Sequence, residues 1–288
     1  PIPEITGLVC PQETQCQMKC VSRYRRKPEF GQPTDIGKLE AFVAYWARVN
    51  KDRLEGYSWY EGAGTTAPPT GKKVVVVGSG PAGLVAAAEC AKQGHEVTVY
   101  ETLHEAGGVL IYGIPEFRLP KEIVRYEIEQ IAALGVRFVL NFKVDSLSDL
   151  LKDTGAHAAF VCTGAGTPRN LTNGDGSKVE GQDLVGVYSA NEFLTRTNLM
   201  KGYLFPVSDT PPPMVLDRKV VVFGGGNVAM DAARCALRLG AKEVTIMYRR
   251  SEEEIPARAE EFHHAKEEGI RFEYLAAPCG FIGKNGAL

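Results

Sequence analysis

A pattern that occurs twice in this chain constrains its fold more than any other feature. Residues 74–77 are four consecutive valines, which run into the glycine-rich turn 78–83, an alanine-rich helix and a second strand over 96–100. The same order of strand, turn, helix and strand returns over residues 219–248. Continuous apolar strands of this kind are buried on both faces of a parallel sheet. The sequence therefore predicts an α/β fold with two Rossmann-like units.

The first turn has the spacing of a dinucleotide-binding site. Gly78 permits a tight turn, Gly80 lets the backbone approach a pyrophosphate, and Gly83 lets the helix lie close to the strand. The second strand is followed by Glu101, at about the ~20-residue distance at which an acidic side chain accepts hydrogen bonds from a ribose. The alternative is a glycine-rich turn that binds nothing, but the flanking strand and helix favour binding. The predicted contacts are Gly78, Ser79, Gly80, Pro81, Ala82, Gly83 and Glu101.

The second turn predicts a site for a phosphorylated dinucleotide. Its glycine pattern ends in Ala229, and Arg249 and Arg250 stand where the first unit has its acidic residue. A carboxylate would repel a 2′-phosphate, whereas guanidinium groups pair with it through fork-shaped donors. This difference favours NADP(H) over NAD(H); the alternative is that both arginines are solvated surface charges. The predicted contacts are Gly224, Gly225, Gly226, Asn227, Val228, Arg249 and Arg250.

Two unlike dinucleotide sites in one chain imply an electron relay, since a dehydrogenase that acts directly on a substrate needs only one. One cofactor is therefore expected to be a flavin, FAD, in the first unit. Flavin–disulfide enzymes carry a cysteine pair close to the flavin or in the NADPH domain, but no CxxC or CxxxxC spacing occurs in this sequence. Electrons must leave the flavin by another route. This scheme needs no side chain as acid or base, so no catalytic residue is predicted.

Three of the seven cysteines, Cys10, Cys16 and Cys20, fall within eleven residues, and the other four are scattered. Zinc prefers more closely spaced cysteine pairs and four local ligands. An iron–sulfur cluster is therefore the favoured interpretation, and free thiols are the alternative. A four-iron cluster still needs a fourth ligand. The sequence predicts that these three cysteines bind the metal together with a ligand from upstream sequence or another subunit.

Charge and hydropathy narrow the classes of partner. The 33 basic and 35 acidic residues nearly cancel, which gives no argument for a nucleic-acid partner. No apolar run approaches the ~18 residues of a membrane-spanning helix, and residues 1–7 lack the layout of a signal peptide. We therefore expect a cytoplasmic protein that binds neither nucleic acid nor membrane. Because the chain begins at Pro1 without a methionine, we also expect it to be a fragment.

Composition along the chain predicts four segments. Apolar residues have helical spacing over 36–49, and the Gly-, Thr- and Pro-rich stretch 61–71 predicts a linker. Residues 167–214 are rich in Gly, Asn, Asp and Pro, which predicts an irregular crossover. The expected domains are a helical iron–sulfur segment with its linker over 1–70, an FAD unit over 71–168, the crossover over 169–216, and a partial NADPH unit over 217–288.

Taken together, these features closely resemble one flavoprotein family. It includes the glutamate synthase small (beta) subunits, the large subunit of NADH-dependent ferredoxin:NADP oxidoreductase and the N-terminal part of dihydropyrimidine dehydrogenase. The resemblance rests on six stretches that cover nearly the whole chain. They are GLVCPQETQCQMKC from Gly7, IGKLEAFVAYWA from Ile36, VVVVGSGPAGLVAA from Val74, GGVLIYGIPEFRLPKE from Gly107, FGGGNVAMDAARCALRLGA from Phe223, and YRRSEEEIPARAEEFHHAKEEG from Tyr248.

The resemblance implies three cofactors: FAD, NADPH and a [4Fe–4S] cluster whose ligands include the three clustered cysteines. It also implies that Gly108 and the stretch 113–120, with Arg118, lie along the flavin, and that Thr163 and Gly164 belong to the same site. The implied activity is that of an NADPH-dependent flavin oxidoreductase subunit. Such a subunit passes electrons between NADP(H), FAD and [4Fe–4S] clusters to a redox partner subunit.

The chain departs from the family pattern at three places. Gln17, Met18 and Lys19 replace the usual acidic and small residues between the second and third cysteines. The upstream cysteines that complete the clusters are missing from this sequence, and so is the Gly-Asp segment that covers the FAD, so we expect a C-terminally truncated chain. The alternative function is a non-catalytic remnant that binds a nucleotide or a partner. The final acceptor is left open, because glutamate synthesis, ferredoxin, sulfur or polysulfide, and pyrimidine reduction all use such a module.

Overall fold

The structure is a computed structural model that describes residues 2–24, 31–54, 66–168 and 170–288. Residues 61–65 of the predicted linker at 61–71 lie outside these ranges. By its internal contacts the chain divides into two compact units. The first comprises Pro1–Ile111 and Glu116–Gly164, and the second comprises Tyr112–Pro115 and Ala165–Leu288. The segment that contains the three clustered cysteines thus groups with the first Rossmann-like unit, while the bounds of the four predicted domains stay predictions.

The first unit contains a parallel sheet of four strands in the order β3-β2-β1-β4. The strands are β1 (Lys73–Val77), β2 (Glu96–Tyr100), β3 (Arg137–Val139) and β4 (Ala158–Val161). Val75 of β1 pairs with Thr98 of β2 on one side and with Ala159 of β4 on the other. The four valines of β1 are all buried, which confirms the prediction of a strand in the middle of a parallel sheet.

Helices cover both faces of this sheet. The helices in this part of the chain are α1 (Pro3–Val9), α2 (Ile36–Val49), α3 (Lys51–Leu54), α4 (Pro81–Lys92), α5 (Val109–Tyr112), α6 (Lys121–Ala133) and α7 (Leu147–Thr154). Helix α4 connects β1 to β2 and buries Leu84, Ala87 and Ala88 completely. On α7, Leu150 packs with Val75 of β1 and Tyr100 of β2. The first strand–turn–helix–strand unit therefore forms as predicted.

The N-terminal helices pack against each other through small residues. A Cβ atom at Gly7 of α1 would lie 2.5 Å from the backbone nitrogen of Ala41 on α2. The large apolar side chains of α2 lie elsewhere on the helix and are 40% to 62% exposed; they are Leu39, Phe42, Val43, Trp46 and Val49. Helix α2 therefore has the predicted apolar face, but its small residues form the contact with α1.

A buried polar cluster joins this segment to α6 of the same unit. Glu4 is 4% exposed, and its carboxylate accepts hydrogen bonds from Arg48 at 2.8 and 3.0 Å. The backbone N–H of Glu4 donates to Oε1 of Glu127 on α6 at 3.2 Å. Arg48 pairs with Glu4, so the equally buried Glu127 carboxylate has only this backbone donor at hydrogen-bonding distance among the described residues.

The second unit contains a parallel sheet in the order β5-β6-β7, formed by β5 (Lys219–Phe223), β6 (Glu243–Tyr248) and β7 (Arg271–Tyr274). Its helices include α8 (Ala190–Leu194), α9 (Asn227–Arg238) and α10 (Ala259–Glu267). The buried guanidinium of Arg234 holds α9 against α10, because it pairs with Glu261 at 2.7 Å and with Glu268 at 2.8 Å.

Both units are α/β with parallel sheets and a glycine-rich turn after the first strand, which confirms the predicted fold class. Within the described ranges, none of the helices has the length and apolar character needed to cross a membrane.

Candidate dinucleotide-binding sites

The first glycine-rich turn lies between the C-terminal end of β1 and the N-terminus of α4. Gly78 has a φ of +97°, and a Cβ atom there would lie 2.5 Å from the carbonyl oxygen of Cys162. A Cβ atom at Gly83 would overlap the carbonyl oxygen of Gly78, so the helix lies directly against the turn. The fold itself therefore requires glycine at both positions.

Gly80 differs from these two glycines, because nothing in the fold requires it. Its φ of −65° and ψ of −179° suit any residue, and a Cβ atom there would meet nothing within 4 Å. Gly80 is also the N-cap residue of α4, and the first backbone N–H groups of a helix have no partners within the helix. The space beside Gly80 is a cradle that a Cβ atom would fill and that a dinucleotide pyrophosphate fits.

Glu101 follows β2 and is buried beside the turn. Its Oε2 accepts hydrogen bonds from the backbone N–H of Ser79 at 2.9 Å and from the Ser79 hydroxyl at 2.5 Å. Its Oε1 accepts from the backbone N–H of Leu103 at 2.9 Å. A carboxylate has about four lone-pair sites, so these donors leave room for a further donor such as a ribose hydroxyl. Glu101 thus fixes the turn and keeps capacity for a ligand.

A second pair of glycines packs on the first turn. Gly108 has a φ of +55°, and a Cβ atom there would lie 2.8 Å from the Cα atom of Gly80. The backbone N–H of Gly107 donates to the Ser79 hydroxyl at 3.0 Å, so Ser79 links both turns to Glu101. The glycine spacing carries no signal for this link, in which Ser79 stabilises the turn as well as being a predicted ligand contact.

Four of the other residues predicted for this site lie at the same edge of the sheet. Pro81 and Ala82 are the first residues of α4. Thr163 and Gly164 follow β4, which pairs directly with β1, and both are exposed. Arg118 is half-buried in the connection that leads into α6. The structure therefore gathers Thr163 and Gly164 near the turn, and the contacts of all these residues with FAD stay predictions.

The second glycine-rich turn repeats the geometry of the first. Gly224 has a φ of +124°, and a Cβ atom at Gly225 would lie 2.9 Å from the ring of Tyr248. Gly226, in contrast, has a φ of −87° and a ψ of 174°, and a Cβ atom there would meet nothing within 4 Å. Asn227 and the exposed Val228 begin α9. Both turns thus combine glycines that the fold needs with one that it does not.

Contacts from a distant segment fix the second turn. The side-chain oxygen of Asn227 accepts a hydrogen bond from the backbone N–H of Arg258 at 2.9 Å. The carbonyl oxygen of Gly225 accepts from the backbone N–H of Ala257 at 3.1 Å. The sequence carried no signal for these contacts, because no spacing rule connects residues 31 positions apart. Asn227 therefore positions the loop before α10 as well as starting α9.

The two predicted arginines lie immediately after β6, at the same sheet edge as the second turn. Both are exposed, and Arg250 Nε lies 4.0 Å from Oε1 of Glu254. No ion pair of Arg249 is found among the described residues. The backbone N–H of Gly224 donates to the carbonyl oxygen of Met247, which ties the turn to the end of β6. This arrangement brings the cationic pair and the turn together, as a 2′-phosphate site requires.

The three clustered cysteines lie in the segment between α1 and α2. Cys10 ends α1, Cys16 is exposed, and the Cys20 sulfur accepts from the backbone N–H of Thr34 at 3.5 Å. This Thr34 contact, supported by Ser22, lowers the pKa of the Cys20 thiol to about 7. All seven cysteines lie in the described ranges, and none forms a disulfide.

Thiolates suit an iron–sulfur cluster, but a four-iron cluster is held by four of them. Over residues 2–24, 31–54, 66–168 and 170–288, no three His, Cys, Asp or Glu side chains are grouped as a metal site requires. The described residues therefore do not by themselves form the predicted cluster site. The ligand roles of Cys10, Cys16 and Cys20 stay a prediction.

Two protein-family models match the chain. One, described as pyridine nucleotide-disulphide oxidoreductase, matches residues 72–288. The other, described as dihydropyrimidine dehydrogenase domain II with a 4Fe-4S cluster, matches residues 1–52. Together they span both the dinucleotide turns and the cysteine segment.

Curated relatives match over nearly the whole chain. The glutamate synthase [NADPH] small chain of Escherichia coli is 36% identical over 99% of this chain and 57% of its own length. The NADP(+)-dependent formate dehydrogenase subunit beta of Moorella thermoacetica is 40% identical over 98% of this chain and 39% of its own length. The chain thus spans about half the length of the glutamate synthase relatives it matches.

Solved structures support the fold. FprA from Mycobacterium tuberculosis is 20% identical, with a TM-score of 0.61, and the match covers 77% of this chain and 62% of that one. Thioredoxin reductase from Lactococcus lactis has a TM-score of 0.53 at 22% identity, over 75% of this chain and 68% of that one. At these identities the similarity shows the fold alone.

Proposed function

The chain belongs to the pyridine nucleotide-disulphide oxidoreductase family, and on that premise we propose that it is the FAD- and NADPH-binding part of a multi-subunit oxidoreductase. The family assignment makes it part of an NAD(P)H-dependent flavin oxidoreductase. We propose the order of the sites from the two turns, with FAD at Gly78–Gly83 beside Glu101 and NADPH at Gly224–Val228 beside Arg249 and Arg250.

One observation carries this proposal: each turn has a glycine that the fold does not require. Gly80 and Gly226 both have ordinary φ and ψ angles and open space where a Cβ atom would lie. Both are N-cap residues of twelve-residue helices, where free N–H groups favour an anion. A diphosphate that approaches the backbone closely accounts for both glycines.

The residues of the chain bind and orient the two cofactors in this proposal. When bound, the nicotinamide and flavin exchange a hydride, and the flavin can then release electrons one at a time. In the first site, Glu101 accepts a hydrogen bond from a ribose hydroxyl. Its hydrogen bonds from Ser79 and Leu103 hold the carboxylate in position for this contact. Arg249 and Arg250 pair with the 2′-phosphate in the second site. No side chain acts as an acid or a base.

We also propose that the electrons leave toward a partner subunit. The matched relatives are named as a small chain and a beta subunit, so each is one part of a larger assembly. Flavin–disulfide enzymes pass electrons to a cysteine pair, and this sequence has no CxxC or CxxxxC spacing for such a pair. The match over residues 1–52 supports the view that Cys10, Cys16 and Cys20 contribute to a 4Fe-4S cluster.

Two substitutions test the assignment. Gly80→Ala should weaken FAD binding and Gly226→Ala should weaken NADPH binding, each by about ten- to hundredfold, because a methyl group that fills a tight site costs about 1–3 kcal/mol. Neither should lower the melting temperature, since both positions accept alanine without strain. Gly174→Ala is the matched control, because its Cβ atom would also meet nothing within 4 Å.

FAD content and isothermal titration with NADP⁺ measure the two effects separately. Variants that keep their fold and bind both cofactors as tightly as the unsubstituted protein would refute the proposed sites. A well-folded protein that never binds flavin or NADP⁺ would instead support a non-catalytic remnant.

A further inference from the structure

The cationic pair at the proposed NADPH site is followed directly by a run of acidic residues. After Arg249, Arg250 and Ser251 the chain continues with Glu252, Glu253 and Glu254, which form a three-ten turn. Glu252 is three residues after Arg249, so the Cα atoms of these two residues are about 10 Å apart at most. A 2′-phosphate carries nearly two negative charges and is opposed by any free carboxylate at this range. For the site to prefer NADPH, these carboxylates must therefore be neutralised or held away from the phosphate.

Two sets of contacts fix the acidic turn at the end of β6. Glu254 forms a capping box with Ser251, whose N–H and hydroxyl lie 3.2 and 3.3 Å from Glu254 Oε2. The hydroxyl of Tyr248 donates to the carbonyl oxygen of Glu254 at 3.0 Å. Glu254 Oε1 also lies 4.0 Å from Arg250. The Glu254 carboxylate is thus directed into the turn, where local donors satisfy it.

Glu252 is held by a residue from a different element. Lys266, in the last turn of α10, donates to Oε1 of Glu252 at 2.5 Å. Its ammonium lies 4.4 Å from the ring centroid of Phe262 and 5.9 Å from that of Phe272 on β7. Hydrogen bonding to Lys266, followed by Tyr274, lowers the pKa of the Glu252 carboxyl. The ion pair is partly exposed, so it adds little to the free energy of unfolding. Its effect is to fix the position of the Glu252 carboxylate.

We propose that Lys266 is a positioning residue for dinucleotide choice. It neutralises Glu252 and holds that carboxylate against α10 and β7, so that the Glu252 charge does not oppose the 2′-phosphate that Arg249 and Arg250 bind. The inference rests on the proposed NADPH site and adds a specificity determinant that lies outside both glycine-rich turns and outside the arginine pair.

A double-mutant cycle in the full chain tests this inference, with NADP⁺ and NAD⁺ binding measured by isothermal titration calorimetry at low ionic strength. Lys266→Met should weaken NADP⁺ binding about three- to tenfold. This is the effect expected of one unit charge on a dianion across roughly 10 Å of solvent-exposed surface. NAD⁺ lacks the 2′-phosphate, so its affinity should change by less than about twofold. The loss should shrink as salt is added.

Glu252→Gln separates charge control from a packing role of Lys266. In the Lys266→Met background it should restore NADP⁺ affinity to within about twofold of the unsubstituted protein, because the carboxylate that Lys266 neutralised is then gone. Lys242→Met is the matched control, since it removes the same charge about 20 Å away at the opposite end of β6. It should leave both affinities unchanged.

Unchanged NADP⁺ binding in Lys266→Met would overturn the inference, and so would a loss that Glu252→Gln does not restore. These outcomes differ from a failure of the proposed site itself. In that case the unsubstituted protein would show no preference for NADP⁺, and replacing Arg249 and Arg250 with Ala would have no effect.

Discussion

Glu127 makes the stability of the junction between the N-terminal segment and α6 depend on pH. The carboxyl group is 6% exposed, and burial raises its pKa from 4.5 to about 7, against the lowering effect of the Glu4 backbone N–H. The nearby Arg48 offsets the shift only weakly, because it is held by Glu4 at 2.8 Å. A raised pKa means that the folded protein binds a proton more tightly than the unfolded chain does.

The sign and size of the effect follow from linkage. Below pH 4.5 both states are protonated, and the group imposes no cost. Between pH 4.5 and about 7 the unfolded chain loses its proton first, so the free energy of unfolding falls. At 1.36 kcal/mol per pKa unit the total loss is roughly 3 kcal/mol. The glutamine of Glu127→Gln cannot ionise and keeps an oxygen that accepts from the Glu4 N–H. As the pH rises, the free energy of unfolding of this variant should therefore increase by about this amount relative to that of the unsubstituted protein.

Urea unfolding at several pH values, followed by circular dichroism and tryptophan fluorescence, measures this difference. Glu129→Gln makes the same change at an exposed position on the same helix and is the control for removing a carboxyl from α6. A difference between Glu127→Gln and the unsubstituted protein that stays constant from pH 4 to about 8 would refute the reasoning.

Two further predictions concern the cofactors. Glu101→Ala should reduce FAD retention while the fold persists, since it removes a ribose contact of a few kcal/mol at most and frees Ser79; flavin content that equals that of the unsubstituted protein would contradict the assignment. Iron and sulfide analysis of the isolated chain should find an incomplete or labile cluster, because Cys10, Cys16 and Cys20 supply three thiolates; a stable four-iron cluster or bound zinc would show that the count is wrong.

The features that follow from local chemistry could be predicted from the sequence. Four consecutive valines predict β1, and the glycine spacing predicts both turns, because each feature depends on a few adjacent residues. The packing of α2 could not be predicted in the same way. Its periodicity shows an apolar face, but the contact of Gly7 with Ala41 decides which face meets α1.

Contacts between distant residues carried no local signal. The pairing of Lys266 with Glu252 depends on how α10 returns to the end of β6, and the pairing of Asn227 with Arg258 depends on the loop between them. The sequence pointed to the arginine pair as the determinant of cofactor choice. The acidic residues beside it acquire a role only when the fold shows what neutralises them.

Anaerobic titration of the FAD-loaded protein with NADPH and with NADH tests the central claim most directly, with the loss of flavin absorbance as the readout. Two charge-assisted contacts of ~1.5–3 kcal/mol each predict a preference for NADPH of about a hundredfold or more. Replacing Arg249 and Arg250 with Ala should abolish most of that preference and leave reduction by NADH nearly unchanged. Equal efficiency with both nucleotides in the unsubstituted protein, or a preference that survives in the double variant, would contradict the account.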